Sequence, residues 1–257
     1  MNRTVALTLG ICLLAASAAQ ATTVRIDHIG YGHVGTTGVI VDYDWDGHYD
    51  AYSGDYIKTG QYKFAFYAAH SSPGTADLVT DPFFAYCVDL DQSIPYGWAD
   101  YSLVDLEDAP LAWRPDDPMG TDKANDLREL WGRFAGMVTS SATGEAFGAA
   151  VWEIVFENPA NDYDVADGAL KMTGMGIYGG ENSAAIANDW LSQLNGDISK
   201  YEQGLFALSH PCYQDFALAG PTPPSGNPIP EPMTLAGVGM GVAGLCGYLR
   251  RRRQAQA

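Results

Sequence analysis

Residues 83–88 read Phe-Phe-Ala-Tyr-Cys-Val, an apolar and aromatic run of strand length. A run of this length and composition predicts a buried β-strand. Three upstream stretches, separated by Gly and Asp turn residues, predict further strands: Gly38 to Asp42, Tyr56 to Lys58 and Tyr62 to Tyr67. Residues 213–218, Tyr-Gln-Asp-Phe-Ala-Leu, predict one more strand late in the chain.

Between these strands the sequence changes to helical periodicity. The first predicted helix is capped by Thr121 or Asp122, the second covers Glu145 to Phe156, and the third follows Asn182 or Ser183. Their apolar residues are Leu127, Leu130, Trp131 and Phe134, then Phe147, Ala150, Val151 and Ile154, then Ile186, Trp190 and Leu194. The predicted fold class is α+β, a β-sandwich or barrel-like sheet with a helical insert.

The N-terminus has the three parts of a secretory signal peptide. Arg3 supplies the positive charge, an apolar segment follows over Val5 to Ala15, and Ala19-Gln20-Ala21 fits the small-x-small cleavage pattern. Residues 1–21 are therefore predicted to be removed, leaving residues 22–220 as an exported globular domain.

The C-terminus forms a second processing unit. Residues 221–232 are a proline-rich spacer, residues 233–249 an uncharged apolar segment just long enough to cross a membrane, and residues 250–257 an Arg-rich tail. Arginines beside an apolar segment stay on the cytoplasmic side. Pro230-Glu231-Pro232, the Gly-rich segment and the terminal cluster of Arg250, Arg251, Arg252 and Arg253 resemble the PEP-CTERM sorting signal.

The resemblance to PEP-CTERM proteins implies a location and partners. It implies a Gram-negative bacterium, cleavage near Pro-Glu-Pro by an exosortase-type enzyme, and an association with exopolysaccharide. The expected route is an inner-membrane intermediate, held through the C-terminal helix, followed by the outer membrane, cell surface or extracellular matrix.

Composition limits the function of the exported domain. The chain has 31 acidic against 14 Lys and Arg residues and a net charge of −17, which argues against nucleic-acid binding. Asp42, Asp44 and Asp46, followed by Gly47, are candidate Ca²⁺ ligands, but the same pattern is typical of a hairpin tip. We expect no other cofactor.

Three segments stand out in order along the chain. They are Tyr86-Cys87-Val88-Asp89, Phe147-Gly148-Ala149-Ala150-Val151-Trp152 and Tyr213-Gln214-Asp215-Phe216-Ala217-Leu218. Their order resembles the thioester domains of bacterial surface proteins, in which a Cys after an aromatic residue bonds to a late Gln. The sequence departs from that family at Phe147-Gly148, where the family has Thr-Gln.

The resemblance implies an internal thioester between Cys87 and Gln214, open to attack by an amine on a partner surface. A second hypothesis stays open. Cys87 and Cys212 are the two cysteines of the exported domain, and a pair of cysteines outside the cytoplasm forms a disulfide by default.

The predicted function is a non-enzymatic envelope or matrix protein, with a thioester-type adhesion module. The alternative is a non-covalent carbohydrate- or matrix-binding β-domain held by a Cys87–Cys212 disulfide. An extracellular hydrolase is a third hypothesis, although no acidic pair in the sequence singles out a catalytic centre.

Overall fold

The computed structural model describes residues 22–42, 57–67, 81–111, 114–158 and 161–220. The signal peptide, the proline-rich spacer, the apolar segment and the Arg cluster lie outside these residues. No helix among the described residues is long and apolar enough to span a membrane.

Most strands lie before or after a mainly helical region of the chain, an arrangement that is typical of an α+β fold. The strands are β1 (Thr22–Val41), β2 (Ile57–Tyr67), β3 (Phe83–Cys87), β4 (Trp98–Asp105), β5 (Pro110–Leu111), β6 (Arg114–Pro118), β7 (Leu170–Thr173), β8 (Ile177–Tyr178), β9 (Glu181–Asn182), β10 (Leu205–His210) and β11 (Tyr213–Ala219). The α-helices are α1 (Gly120–Phe134), α2 (Ser141–Phe156) and α3 (Ser183–Leu191).

Six strands close into an antiparallel barrel in the order β1, β2, β3, β11, β10, β4 and back to β1. The long strand β1 makes closure possible, because its first half pairs with both β4 and β2. Register shifts between His28 and Gly30 and between Tyr31 and Val34 bend this strand, and β7 pairs with its far end. Bulges of this kind are the usual means of bending a strand in a barrel wall.

Helix α2 is the centre of the molecule. It packs against β1 and β2 on one side and against α1 and α3 on the other, and nearly every side chain along it is buried. Ser140 and Thr143 form a reciprocal capping box that fixes its first turn. The four apolar residues predicted for this helix therefore make up only part of its buried surface, because α2 lies between two layers rather than on a surface.

The predictions for the other two helices fare differently. Asn182 caps α3 as predicted, since its side chain accepts a hydrogen bond from the Ala185 N–H at 3.2 Å. The predicted cap of α1 at Thr121 or Asp122 is wrong. The chain turns into α1 through Gly120, at φ +79°, without a side-chain cap.

Buried carboxylates tie loops to the helices. The buried glutamates of α1 and α2 are Glu129, Glu145 and Glu153, and Glu157 follows at the end of α2. Glu157 accepts hydrogen bonds from the backbone N–H groups of Ala169 at 2.7 Å and Leu170 at 3.3 Å. Part of the acidic composition is therefore internal structure rather than surface charge.

Candidate functional site

Two neighbouring barrel strands bring Cys87 and Gln214 together. Cys87 ends β3 opposite Phe216 of β11, and the Val88 N–H donates to the Asp215 carbonyl at 3.0 Å. Residues two apart on a strand point to the same face, so Gln214 shares a face with Phe216 and with Cys87. Gln214 then stands opposite Asp89, two residues beyond the cysteine.

The two side chains share one hydrogen-bond acceptor. The Cys87 thiol donates to the backbone carbonyl of Asp89 at 2.7 Å, and the Gln214 Nε2 donates to the same oxygen at 2.9 Å. The separation of sulfur and Nε2 therefore cannot exceed the sum of these two distances. The Asp89 N–H also points at the Cys87 sulfur, at 3.4 Å.

The pair lies inside a closed, aromatic environment. Cys87 is 2% and Gln214 8% exposed. Phe216 contacts Phe64 and Tyr62 of β2, with ring centroids 4.7 and 5.3 Å apart. Since β2 and β11 are not adjacent strands, these contacts cross the barrel interior, which Cys87 therefore faces. Water is excluded from such a site, so an acyl bond formed there would be protected from hydrolysis.

Two buried polar groups, one hydroxyl and one indole, flank the pair. The Tyr101 hydroxyl donates to the Gln214 backbone carbonyl at 3.1 Å and holds β11 in place. The Trp152 indole of α2 lies close enough to Cys87 for its N–H to favour the thiolate form and so oppose the rise in the thiol pKa. That N–H has no partner of good hydrogen-bond geometry among the described residues.

The loop between β3 and β4 covers the pair. Val88, Asp89, Leu90 and Pro95 of this loop are buried, whereas Tyr96 at its tip is exposed. The loop is fastened to β11 because the Gln214 N–H donates to the Ser93 carbonyl at 3.2 Å.

Burial sets the protonation states at the site. It raises the pKa of the Cys87 thiol far above its ordinary value, and the negative charge of Asp89 adds to the rise. Burial likewise raises the pKa of Asp89 to about 6 and that of Asp215 to about 7. At neutral pH the thiol is therefore protonated, and a nearby base is needed to make it nucleophilic.

Cys212 stands apart from this arrangement. It lies exposed at the turn between β10 and β11, where its N–H donates to His210 Nδ1 at 3.0 Å. Both thiols are free, so the Cys87–Cys212 disulfide predicted as the alternative is not formed in this structure. The structure brings Cys87 to Gln214 rather than to Cys212.

The segment at which the sequence departs from the thioester domains has a physical explanation. A Cβ added to Gly148 would lie 2.5 Å from the Gly60 nitrogen, because α2 touches the backbone of β2 there. A larger residue does not fit. Phe147 is buried beside Tyr86 and Trp131, with ring centroids 4.5 and 4.9 Å away. Both residues serve the packing of α2.

The candidate Ca²⁺ ligands are only partly described. Asp42 is buried at the end of β1, and its N–H donates to the Ala169 carbonyl at 2.8 Å. Asp44 and Asp46 lie outside the described residues. Within the described part of the chain, no three His, Cys, Asp or Glu side chains converge as a metal site.

Sequence reasoning missed the role of Asp89. The sequence places Asp89 two residues after Cys87, so in an extended chain both side chains lie on the same face. What the sequence does not show is that the Asp89 backbone carbonyl joins two side chains from strands far apart in the chain.

No protein-family model and no curated protein sequence matches the chain. Two solved structures are similar to it at a distance. One is the N-terminal thioester domain of a surface protein from Clostridium perfringens, at 10% identity and TM-score 0.36, covering 76% of this chain and 98% of that one. The other is a pilus-presented adhesin, at 13% identity and TM-score 0.35, covering 80% and 69%. Scores this low assign neither a family nor a function.

Proposed function

We propose that the domain is an adhesion module that forms an internal thioester between Cys87 and Gln214. The observation that carries the proposal is the shared acceptor. The thiol and the amide nitrogen both bind the Asp89 carbonyl oxygen, from adjacent strands and in a buried interior. Holding the sulfur and the amide close to each other supplies the effective concentration that acyl transfer needs.

The chemistry is two successive acyl transfers, each performed once, and not turnover. The Cys87 sulfur attacks the Gln214 side-chain carbonyl, the C–N bond breaks, and ammonia leaves. A primary amine on a partner then attacks the thioester carbonyl, forms an amide and frees the thiol. The partner is bound covalently, so the protein is an attachment device rather than an enzyme.

The location follows from the sequence ends and is part of the same proposal. The domain is exported, held at the inner membrane by residues 233–249, and released to the surface or matrix by cleavage near Pro230-Glu231-Pro232. An exosortase-type enzyme is the processing partner, and exopolysaccharide or a surface protein offers the amine.

The test is the intact mass of the exported protein, purified without reductant or amines. We expect the mass to lack one ammonia, and the loss to disappear in Cys87→Ala and Gln214→Ala. Cys212→Ala is the matched control and should keep the loss. Methylamine should add to the wild-type protein and to this control, but not to Cys87→Ala or Gln214→Ala. The same mass can be compared with that of a chain that runs from Thr22 to near Pro232, the expected ends of the mature protein.

Two results would contradict the proposal. A full mass with unmodified Cys87 and Gln214 would show that the pair is inert. A loss of two hydrogens that depends on both Cys87 and Cys212 would show the disulfide instead. Non-covalent glycan binding would then be the function to test.

A further inference from the structure

The Asp89 carboxyl group takes no part in holding the Cys–Gln pair, although its backbone does. Its Oδ1 accepts a hydrogen bond from the Asp91 N–H at 2.8 Å. Its Oδ2 is buried and has no hydrogen-bond partner of good geometry among the described residues, although the backbone N–H groups of Gln92 and Asp215 lie near the carboxylate and favour its charged form. A buried carboxylate oxygen without a partner costs free energy, so its retention beside a reactive pair points to a chemical use.

We propose that the Asp89 carboxylate is the proton acceptor and donor of the acyl transfer at Cys87 and Gln214. The inference rests on the proposed function and adds a third residue to it. The Asp89 backbone N–H and carbonyl both contact the Cys87 sulfur, so the carboxylate belongs to the residue that adjoins the thiol. Its charge acts on the thiol directly and is the largest influence on the thiol pKa after burial.

The proton moves in a closed cycle. Asp89 Oδ2 takes the thiol proton as the sulfur electron pair attacks the Gln214 carbonyl carbon, and the carbonyl electrons move to Oε1. As the tetrahedral intermediate collapses, the C–N bond breaks and the amide nitrogen leaves with the proton from Asp89 as ammonia. The carboxylate is restored, and no other reactant is needed.

The same group suits the capture step. An amine on a partner is protonated at neutral pH and must lose a proton before it attacks. The Asp89 carboxylate attracts the ammonium ion and accepts one of its protons, which frees the nitrogen to attack. When the C–S bond breaks, Asp89 passes that proton to the Cys87 sulfur. It then accepts the second proton that the nitrogen loses in becoming an amide and releases this proton to water. The favoured covalent partner is therefore a primary amine that arrives as a cation, such as a lysine side chain or an amino sugar.

The surroundings support these protonation states. With a pKa of about 6, Asp89 is ionised at neutral pH while the thiol is not. The titratable groups on other strands whose charges act on the pair are Asp215 of β11, Tyr62 of β2 and Tyr101 of β4, and burial raises the pKa of each. The two tyrosines therefore stay neutral, which leaves the carboxylates as the available bases.

The experiment uses the folded protein and the reverse reaction. Excess ammonia opens the thioester and regenerates the Cys87 thiol and the Gln214 amide. Rapid desalting then starts re-formation, which intact mass follows after acid quenching, at intervals from pH 5 to pH 8. The test variant is Asp89→Asn, which keeps an acceptor for the Asp91 N–H. Asp91→Asn is the matched control, because it removes the same charge from an exposed side chain.

The wild-type rate should fall as the pH drops below about 6, where Asp89 becomes protonated. Asp89→Asn should slow re-formation about 100-fold at pH 7 and abolish that pH dependence. Asp91→Asn should keep the wild-type rate at pH 7, and its fall in rate should move to lower pH, because the Asp91 charge helps to raise the Asp89 pKa. Melting curves show whether the variants are folded.

The outcomes separate the two proposals. If the wild-type protein never loses ammonia, the proposed function and this inference both fail. If it does, and Asp89→Asn re-forms the bond at the wild-type rate, this inference alone is overturned. A wild-type rate that is independent of pH from 5 to 8 overturns it as well, even where Asp89→Asn does not fold.

Discussion

At the residue scale, Trp152 would be the hydrogen-bond donor that complements Asp89, the proposed proton acceptor. Its indole N–H is buried near the Cys87 sulfur and has no partner of good geometry among the described residues. An unpaired buried N–H is a cost to the folded protein. It becomes useful when negative charge develops, either on the sulfur or on the Gln214 oxygen during attack.

Trp152→Phe therefore separates stability from chemistry. Phenylalanine keeps an aromatic ring in the core but removes the N–H, so the melting temperature should change little relative to other core substitutions. Thioester re-formation should slow by about 100-fold, as is usual when one oxyanion donor is lost. Intact mass after ammonia opening measures the rate. An unchanged rate in a folded variant would reduce Trp152 to a packing residue.

At the element scale, α2 is both the support of the site and the point from which loops are fastened. Glu153 accepts one hydrogen bond, from the Asp164 N–H at 2.8 Å, while its other oxygen is buried without a partner among the described residues. Burial raises the Glu153 pKa to about 9. Folding at neutral pH therefore requires this group to take up a proton, which the unfolded chain does not hold.

Glu153→Gln should remove that requirement. Because the folded pKa is raised, the wild-type protein loses stability from Glu153 as the pH rises from about 4.5 to about 9. Glutamine mimics the protonated form, so the variant should gain stability over this range, by up to about 3 kcal/mol at pH 7. Urea unfolding at pH 4 and pH 7 measures the difference, which should vanish at the lower pH.

Glu157→Gln is the matched control at the end of the same helix. Both Glu157 oxygens accept backbone N–H groups, from Asn158, Ala169 and Leu170. Removing its charge weakens those bonds, so this variant should be less stable than wild type at pH 7. If Glu153→Gln and Glu157→Gln were equally destabilised, the ionised Glu153 carboxylate would also be holding a loop to α2.

Elements also mark where sequence reasoning succeeds and where it ends. Strand β3 is predictable because it is an unbroken apolar run, and β11 because most of its residues are apolar or aromatic. The middle of β1 is not, because its glycines and polar residues interrupt the alternation and its bulges shift the register. Gly148 is likewise understood only once Gly60 is seen opposite it. The meeting of Cys87 with Gln214 depends on strand order, which no local pattern encodes.

At the scale of the whole molecule, the thioester would join the third strand of the barrel to the last. The bond would close a loop from residue 87 to residue 214 that contains β4, all three helices and β10. A cross-link over so long a loop restricts the unfolded chain strongly, and in the chain-entropy treatment stabilises a protein by roughly 3–5 kcal/mol. Formation of the bond would therefore stabilise the fold as well as create the reactive group of the site.

Opening the bond should consequently loosen the whole domain. We expect the methylamine-treated protein to unfold at a lower urea concentration than the thioester form, by a difference of roughly 3–5 kcal/mol. Gln214→Ala, which cannot form the bond, should resemble the opened protein and should not respond to methylamine. Equal unfolding midpoints for the intact and opened forms would show that the barrel strands alone hold β3 to β11. Capture of a partner would then leave the stability of the fold unchanged.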